Sequence, residues 1–406
     1  MNKKWSRKLL MADVLVLVLL AVPLVYAATE APAGFDDLTN GFSTQAQFDL
    51  DKDVFEEFEV TADGLGPVYN AQACRECHQN PVTGATSQVT ELRVARFDGS
   101  FYTDRPGGSL INDRAIHPNI QERVAGEDNV QTFRTSLNTL GDGFVEAIAD
   151  ATFTTIRNSQ PSGMKGQIIN VPVKEAAAGT TRVARFGWKN QHASLLSFAA
   201  DAYLNEMGIT SPLEPTENTS NGASVAAYDT VADPEEAPTA TEPFGPDVEA
   251  FARFMRATKV PPRDTVLAAT PDAVTGSNLF TSIGCANCHR TSITTAPVGT
   301  VVNGGKLTIT AALGDKIIHP YSDFMLHDVG TGDYIIQNGG SSTFYKLRTP
   351  PLWGMRTRSR LMHDGEDFTR NNAILRHTYE AEPVIQNYIY LSTTQKNQLI
   401  TFLNSL

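Results

Sequence analysis

Two five-residue stretches constrain this chain more than anything else in it: Cys74-Arg75-Glu76-Cys77-His78 and Cys285-Ala286-Asn287-Cys288-His289. Each has the C-x-x-C-H spacing by which a c-type haem is attached. Two thiols one turn apart reach the two vinyl groups on one edge of a porphyrin, and the next residue lies under the ring as an imidazole ligand to iron. The motifs use all four cysteines, so no disulfide is left to form. They predict two covalently bound haem c groups, held by Cys74, Cys77 and His78 and by Cys285, Cys288 and His289. Two blander readings fit less well. A Cys₄ zinc site places its second pair about 15–20 residues after the first, whereas here 211 positions intervene and each pair has its own histidine. A thioredoxin-like dithiol needs a βαβ context. Neither motif has one.

At 406 residues the chain is long enough for two domains. Residues 1–27 read as a Sec signal peptide: Lys3, Lys4, Arg7 and Lys8, then an apolar run interrupted by Asp13, then Val25-Tyr26-Ala27 with small residues for cleavage after Ala27. An uncleaved anchor is the alternative, and would be the one membrane contact. Either way the body is expected outside the cytoplasm, in the periplasm or an equivalent compartment where c-type haem is attached. The net charge is −12. That surface repels nucleic acid and favours a basic partner such as a small cationic cytochrome, although plain solubility explains the charge as well.

Residues 28–60 read as an amphipathic segment with Phe35, Phe42, Phe48, Phe55 and Phe58 as apolar anchors. Val89 to Arg96 and Arg182 to Phe186 alternate as short strands do. A helix is expected over Ala193 to Met207, whose Leu195, Leu196, Ala199, Tyr203 and Met207 share a face. Residues 211–246 hold six prolines and acids without a basic residue, so they form a linker or long surface loop. A helix starts at Asp247, with Val248, Phe251, Phe254 and Met255 inward. Gly276 to Phe280 runs into the second motif. Ser392-Thr393-Thr394-Gln395 is a capping box opening a C-terminal apolar helix through Leu399, Phe402, Leu403 and Leu406.

The region from Gln337 onward resembles the C-terminal domain of bacterial di-haem cytochrome c peroxidases, through Leu347-Arg348-Thr349-Pro350-Pro351-Leu352-Trp353-Gly354-Met355 and Leu361-Met362-His363-Asp364-Gly365. The mature chain is more closely similar to the di-haem oxidoreductase family. That resemblance rests also on Gly64 to Asn70, Arg185-Phe186-Gly187-Trp188-Lys189 and Phe324 to Gly330. It implies a mainly α fold: a cytochrome-c-like domain over 28–210 for the first haem, the 211–246 segment, and a second such domain over 247–406. It also implies haem redox chemistry, with a peroxide-like small molecule or a small redox protein as partner.

Six histidines remain for the sixth iron positions: His117, His192, His319, His327, His363 and His377. The resemblance places the second haem's sixth ligand, usually methionine in those peroxidases, at His377. Met355 and Met362 are the runners-up, and His363 belongs near the propionates or the path between haems. The peroxidases carry a removable histidine shortly after the first motif, but here no histidine occurs from Gln79 to Ile116. His117 or His192 reaches back, or the site is open. No residue is assigned as catalytic. Trp188 and Trp353 lie in family-like stretches, between the haems or simply in the core.

Three functions follow: a di-haem peroxidase-like oxidoreductase, a non-enzymatic di-haem carrier serving a periplasmic dehydrogenase or reductase, and a cousin of the di-haem enzyme that oxidises tryptophans of a partner. That cousin has a tyrosine where His377 stands, so the histidine argues against the third.

Overall fold

The computed structural model describes residues 27–233, 236–338 and 340–406. The leader therefore lies outside the described residues except for Ala27. Ten α-helices are described: α1 (Gln45–Glu56), α2 (Asp142–Glu146), α3 (Asp150–Ser159), α4 (Leu195–Ala202), α5 (Pro246–Ala257), α6 (Thr265–Ala268), α7 (Pro271–Ser282), α8 (Arg370–Leu375), α9 (Glu382–Ile389) and α10 (Thr393–Leu403). The chain is 32% helical and 15% strand, so helices outweigh strands about two to one and the fold is more mixed than expected. Among the described residues no helix is long and apolar enough to cross a membrane.

Thr44 caps α1 by accepting from Gln47 N, and the helix turns Phe48 and Phe55 inward. Phe58, expected as a further anchor, is 56% exposed, because α1 ends before it. Pro246 opens α5 with a backbone already set for a helix, and α5 buries Val248, Phe251, Phe254 and Met255 as its periodicity requires. The two helices pack directly. Phe254 lies 4.8 Å from Phe55 and 5.3 Å from Phe48, ring to ring. Arg253 reaches the buried Asp51 at 2.9 Å. On its other side α5 meets α4, with Tyr203 edge-on to Phe251 at 5.0 Å. A short π-turn, Tyr203–Met207, continues α4 over the stretch expected as helix.

So α5, which opens the second half in sequence, packs among helices of the first. The same core runs on through Leu313, Ile318, Phe324 and Trp353. Thr29–Glu30 adds a parallel strand to Lys316–Ile318, which ties the start of the described chain to the second half. Residues 211–246 lie along the first half: Val225 is buried with Val68 and Ile120, and Thr210 N donates to Asp233. The first half also carries an antiparallel sheet. Its long strand, Thr90–Phe97, pairs with Val130–Thr135, Leu110–Ile111 and Tyr102–Thr103. Thr181–Val183 pairs with Asn170–Pro172.

The second core is organised by α7 and α10. Thr270 caps α7, and the expected box of Ser392 and Gln395 opens α10. The helices cross at Gly276, where a Cβ would overlap the carbonyl oxygen of Gln398. Phe280 and Phe402 meet at 5.3 Å just beyond, with Tyr321, Leu399 and Tyr388 around them.

The crossing makes a prediction of sign. Helix propensity alone makes Gly276→Ala stabilising by about 1 kcal/mol. With the α10 backbone against Gly276, the substitution lowers the melting temperature instead, measured by thermal unfolding.

Candidate haem sites

The second motif is presented by the end of α7. Gly284 takes a left-handed φ of 110°, which ends the helix and turns the chain into a single 3₁₀ turn over Cys285–Asn287. His289 N closes the turn on Cys285 O at 3.0 Å. Burial pushes the Cys285 thiol up to about 12 and raises Cys288 as well. The first motif is built alike. A 3₁₀ turn over Cys74–Glu76 follows the buried Ala73, His78 N bonds Cys74 O at 3.1 Å, and burial pushes Cys77 up to about 12 and Cys74 higher. Thiols held protonated at neutral pH do not suit a redox dithiol, whose attacking species is the thiolate. Nor do the two pairs converge. Among the described residues the group close enough to hold a metal ion is Cys288, Asp323 and His327, and it holds one cysteine only.

His289 Nδ1 donates to Tyr321 O at 2.9 Å. His377 Nδ1 donates to Ala373 O at 2.8 Å, from just beyond α8. Each bond fixes a tautomer and leaves Nε2 with a free lone pair. Burial lowers both imidazoles, His289 to about 4, so both are neutral bases near pH 7. Their ring centroids are 6.4 Å apart with planes at 63°. Two metal–imidazole bonds of about 2 Å, with half a ring beyond each, sum to roughly this separation. That separation leaves room for one iron, which the two imidazoles would hold between them.

Around them is a mostly apolar cavity with about 1380 Å³ of space, its open margin included. Its walls include Leu347, Pro350, Leu352, Leu361, Ile374 and Leu399, and Cys285 and Cys288 stand at its edge. That is the lining a porphyrin needs. Met355 and Met362 line the same cavity, but the ring facing His289 is that of His377.

The other histidines are engaged elsewhere. His327 is buried between Asp323 at 2.8 Å and Glu380 at 2.7 Å, and lies 3.7 Å from Cys288 Sγ. Burial opposes its charge, but the two carboxylates outweigh burial and hold it protonated, so it has no lone pair to offer iron. His363 is buried in the cavity wall, 6.1 Å from the Trp188 ring, with Nδ1 unpartnered. Trp188 Nε1 donates to Thr135 O at 2.8 Å, and Trp353 is in the first core with its Nε1 unpartnered. His319 is exposed beside Glu30.

At the first motif, His78 Nδ1 points to Ala85 O at 3.3 Å, and the main chain of Leu137 also acts on the imidazole. The ring packed edge-on to it is that of Phe55, at 6.2 Å. His117 stacks on Tyr228, and His192 lies 3.1 Å from Asp201 against Phe198. Neither takes the place that His377 takes at the second motif.

Sequence reading missed a polar group beside Cys77. Arg93 binds Glu91 at 2.8 Å and stands 3.9 Å from Glu206, and Asn70 donates to Glu206 at 2.8 Å. Burial, then the Glu91 carboxylate, raises Glu206 above the ordinary carboxylate range, while Arg93 overcomes burial to hold Glu91 ionised. No motif signals this group, because its members come from the strand Thr90–Phe97, the π-turn after α4 and the bend at Asn70.

The chain belongs to the di-haem oxidoreductase family. The family profile described as "Di-haem oxidoreductase, putative peroxidase" matches residues 109–406, and membership makes haem the cofactor. No curated protein matches the chain. Solved structures to which it is distantly similar include the following. Hydrazine synthase of Kuenenia stuttgartiensis is 12% identical, with a TM-score of 0.43 over 99% of this chain and 100% of that one. A MauG-like protein associated with microbial copper homeostasis is 14% identical, with a TM-score of 0.42 over 95% of each chain. The diheme peroxidase BthA from Burkholderia thailandensis is 13% identical, with a TM-score of 0.41 over 95% of each chain.

The facing imidazoles generate a direct expectation. In haem-loaded protein, His377→Ala leaves the covalent haem count unchanged on a denaturing gel. It converts one low-spin haem to high-spin in the optical spectrum and shifts its reduction potential. An unaltered spectrum and potential would move the sixth ligand to Met355 or Met362.

Proposed function

We propose that the protein is an exported di-haem c-type cytochrome oxidoreductase of peroxidase type, in which Cys285, Cys288, His289 and His377 would hold a haem that supplies electron transfer, and Cys74, Cys77 and His78 one that supplies chemistry on peroxide. The observation that carries this reading is an asymmetry. His289 is faced by His377 at 6.4 Å, whereas His78 has Phe55 as its ring neighbour. An iron held on both faces by imidazole transfers electrons, and an iron held on one face has room for a small ligand. Covalent attachment is supported by the paired C-x-x-C-H turns, and export by the leader pattern of residues 1–27.

Haem iron, when bound, supplies the one-electron chemistry at both centres. The rest falls to the chain. Cys74 and Cys77 tether the first ring and His78 orients it, with its Nδ1–H fixed on Ala85 O. Glu206 is the group beside Cys77 that holds a proton at neutral pH, and it can pass that proton to an oxygen leaving as water. Asn70 and Arg93 keep it in place. At the second site Tyr321 O and Ala373 O orient the two imidazoles, and the apolar walls exclude water. The net charge of −12 suits a cationic small cytochrome as electron donor.

Full-length protein from a host that attaches c-type haem tests this. Hydrogen peroxide added with a reduced small basic cytochrome should oxidise two equivalents of the donor per peroxide consumed. Glu206→Gln should slow that turnover by about 10²–10⁴-fold, the range of a lost general acid, and leave both haems attached. Wild-type protein with two haems that consumes no peroxide would leave only the carrier function.

A further inference from the structure

Buried arginines in this chain are as a rule met by opposite charge. Arg134 faces Asp333 at 2.6 Å, Arg256 faces Glu146 at 2.7 Å and Arg105 faces Asp128 at 3.2 Å. Three arginines that line the second cavity form no ion pair with a described residue: the buried Arg348, whose Nε donates to Gly187 O at 2.9 Å and which has the charge of Asp142 in reach, and the part-buried Arg358 and Arg370, which have no such carboxylate. Arg358 donates to the Thr135 hydroxyl at 2.9 Å and forms no ion pair with a described residue. Arg370 donates to Met355 O at 3.1 Å, forms no such ion pair either, and its Nε is buried without an acceptor. Burial lowers both guanidinium groups, Arg358 to about 10, with no carboxylate opposing the fall. A part-buried guanidinium without a counter-charge is open to an anion, and its planar fork matches a carboxylate.

We propose that Arg358 and Arg370 bind the two propionate carboxylates of the haem attached at Cys285 and Cys288, an assignment that rests on the function proposed above. The surround of Cys288 explains the direction. Thioethers fix the vinyl edge of the ring at Cys285 and Cys288, and beside Cys288 stand Asp323 and Glu380, the partners of His327. Those acids repel carboxylates from that edge. The propionates leave the porphyrin on the side away from the vinyl groups, so they come to Arg358 and Arg370. Arg358 is in turn held by Thr135, whose carbonyl accepts from Trp188. The acidic edge of the second ring therefore faces the half of the chain that carries the first motif.

The test uses full-length, haem-loaded protein and follows the reduction potential of the low-spin haem against pH. Arg358→Gln and Arg370→Gln should each shift that potential negative and add a pH dependence near neutrality, because an unpaired propionate takes up a proton more readily. Arg358→Lys should restore part of the shift, and Arg356→Gln, which removes an exposed arginine on the same turn, should not move it. Haem staining separates the two readings. Attached haem with Arg358 and Arg370 variants indistinguishable from Arg356→Gln overturns the propionate assignment alone. Wild-type protein without covalent haem overturns the proposed function as well.

Discussion

Everything at the second site depends on two imidazoles being held near each other, edge to face, at an apolar cavity. His289 and His377 lie 6.4 Å apart. Neither is left to rotate. Each spends its Nδ1–H on a main-chain carbonyl, so the lone pair on Nε2 is aimed rather than merely present. The scaffold behind them is the α7–α10 crossing, which is as close as it is because Gly276 has no side chain to keep α10 away. Loop, cap and helix contact thus converge on the placement of two nitrogen atoms.

Charge is arranged with equal economy. Buried ions are neutralised in clusters that join the two halves of the chain, such as Glu146 with Arg256 and Asp333 with both Arg134 and Lys189. At the second cavity His327 is paired with Asp323 and Glu380 beside Cys288, while Arg358 and Arg370 line the cavity without an ion pair to a described residue. A dipolar molecule with an apolar middle and an acidic edge fits such a cavity in one orientation. The first motif has a different surround, in which Glu91, Glu206 and Arg93 put a protonated and an ionised carboxyl side by side. Two local motifs of the same spacing are therefore given two different chemical settings.

What could be read from the sequence was what short-range chemistry dictates. Cys74 to His78 and Cys285 to His289 are legible because attachment geometry requires adjacent residues. The Ser392 capping box is legible because it closes within one turn, and the inward face of α5 because its period is that of a helix. The packing partner of α5 was not legible. Phe251 and Phe254 announce an apolar face, but nothing local says that it meets Phe55 and Tyr203 rather than the helices that follow it. His377 came to attention through family resemblance, since a histidine two residues past a short helix carries no signal of its own. Glu91 and Glu206 had none at all, because only the fold brings the two acids and Arg93 together.

The central claim is that one iron is closed by two imidazoles and the other is open. Electron paramagnetic resonance of the oxidised, haem-loaded protein counts the two kinds of ferric centre directly. The result expected is one low-spin signal with bis-imidazole parameters and one high-spin signal, in equal amounts. Two low-spin signals, or a low-spin signal that survives intact in His377→Ala, would contradict it.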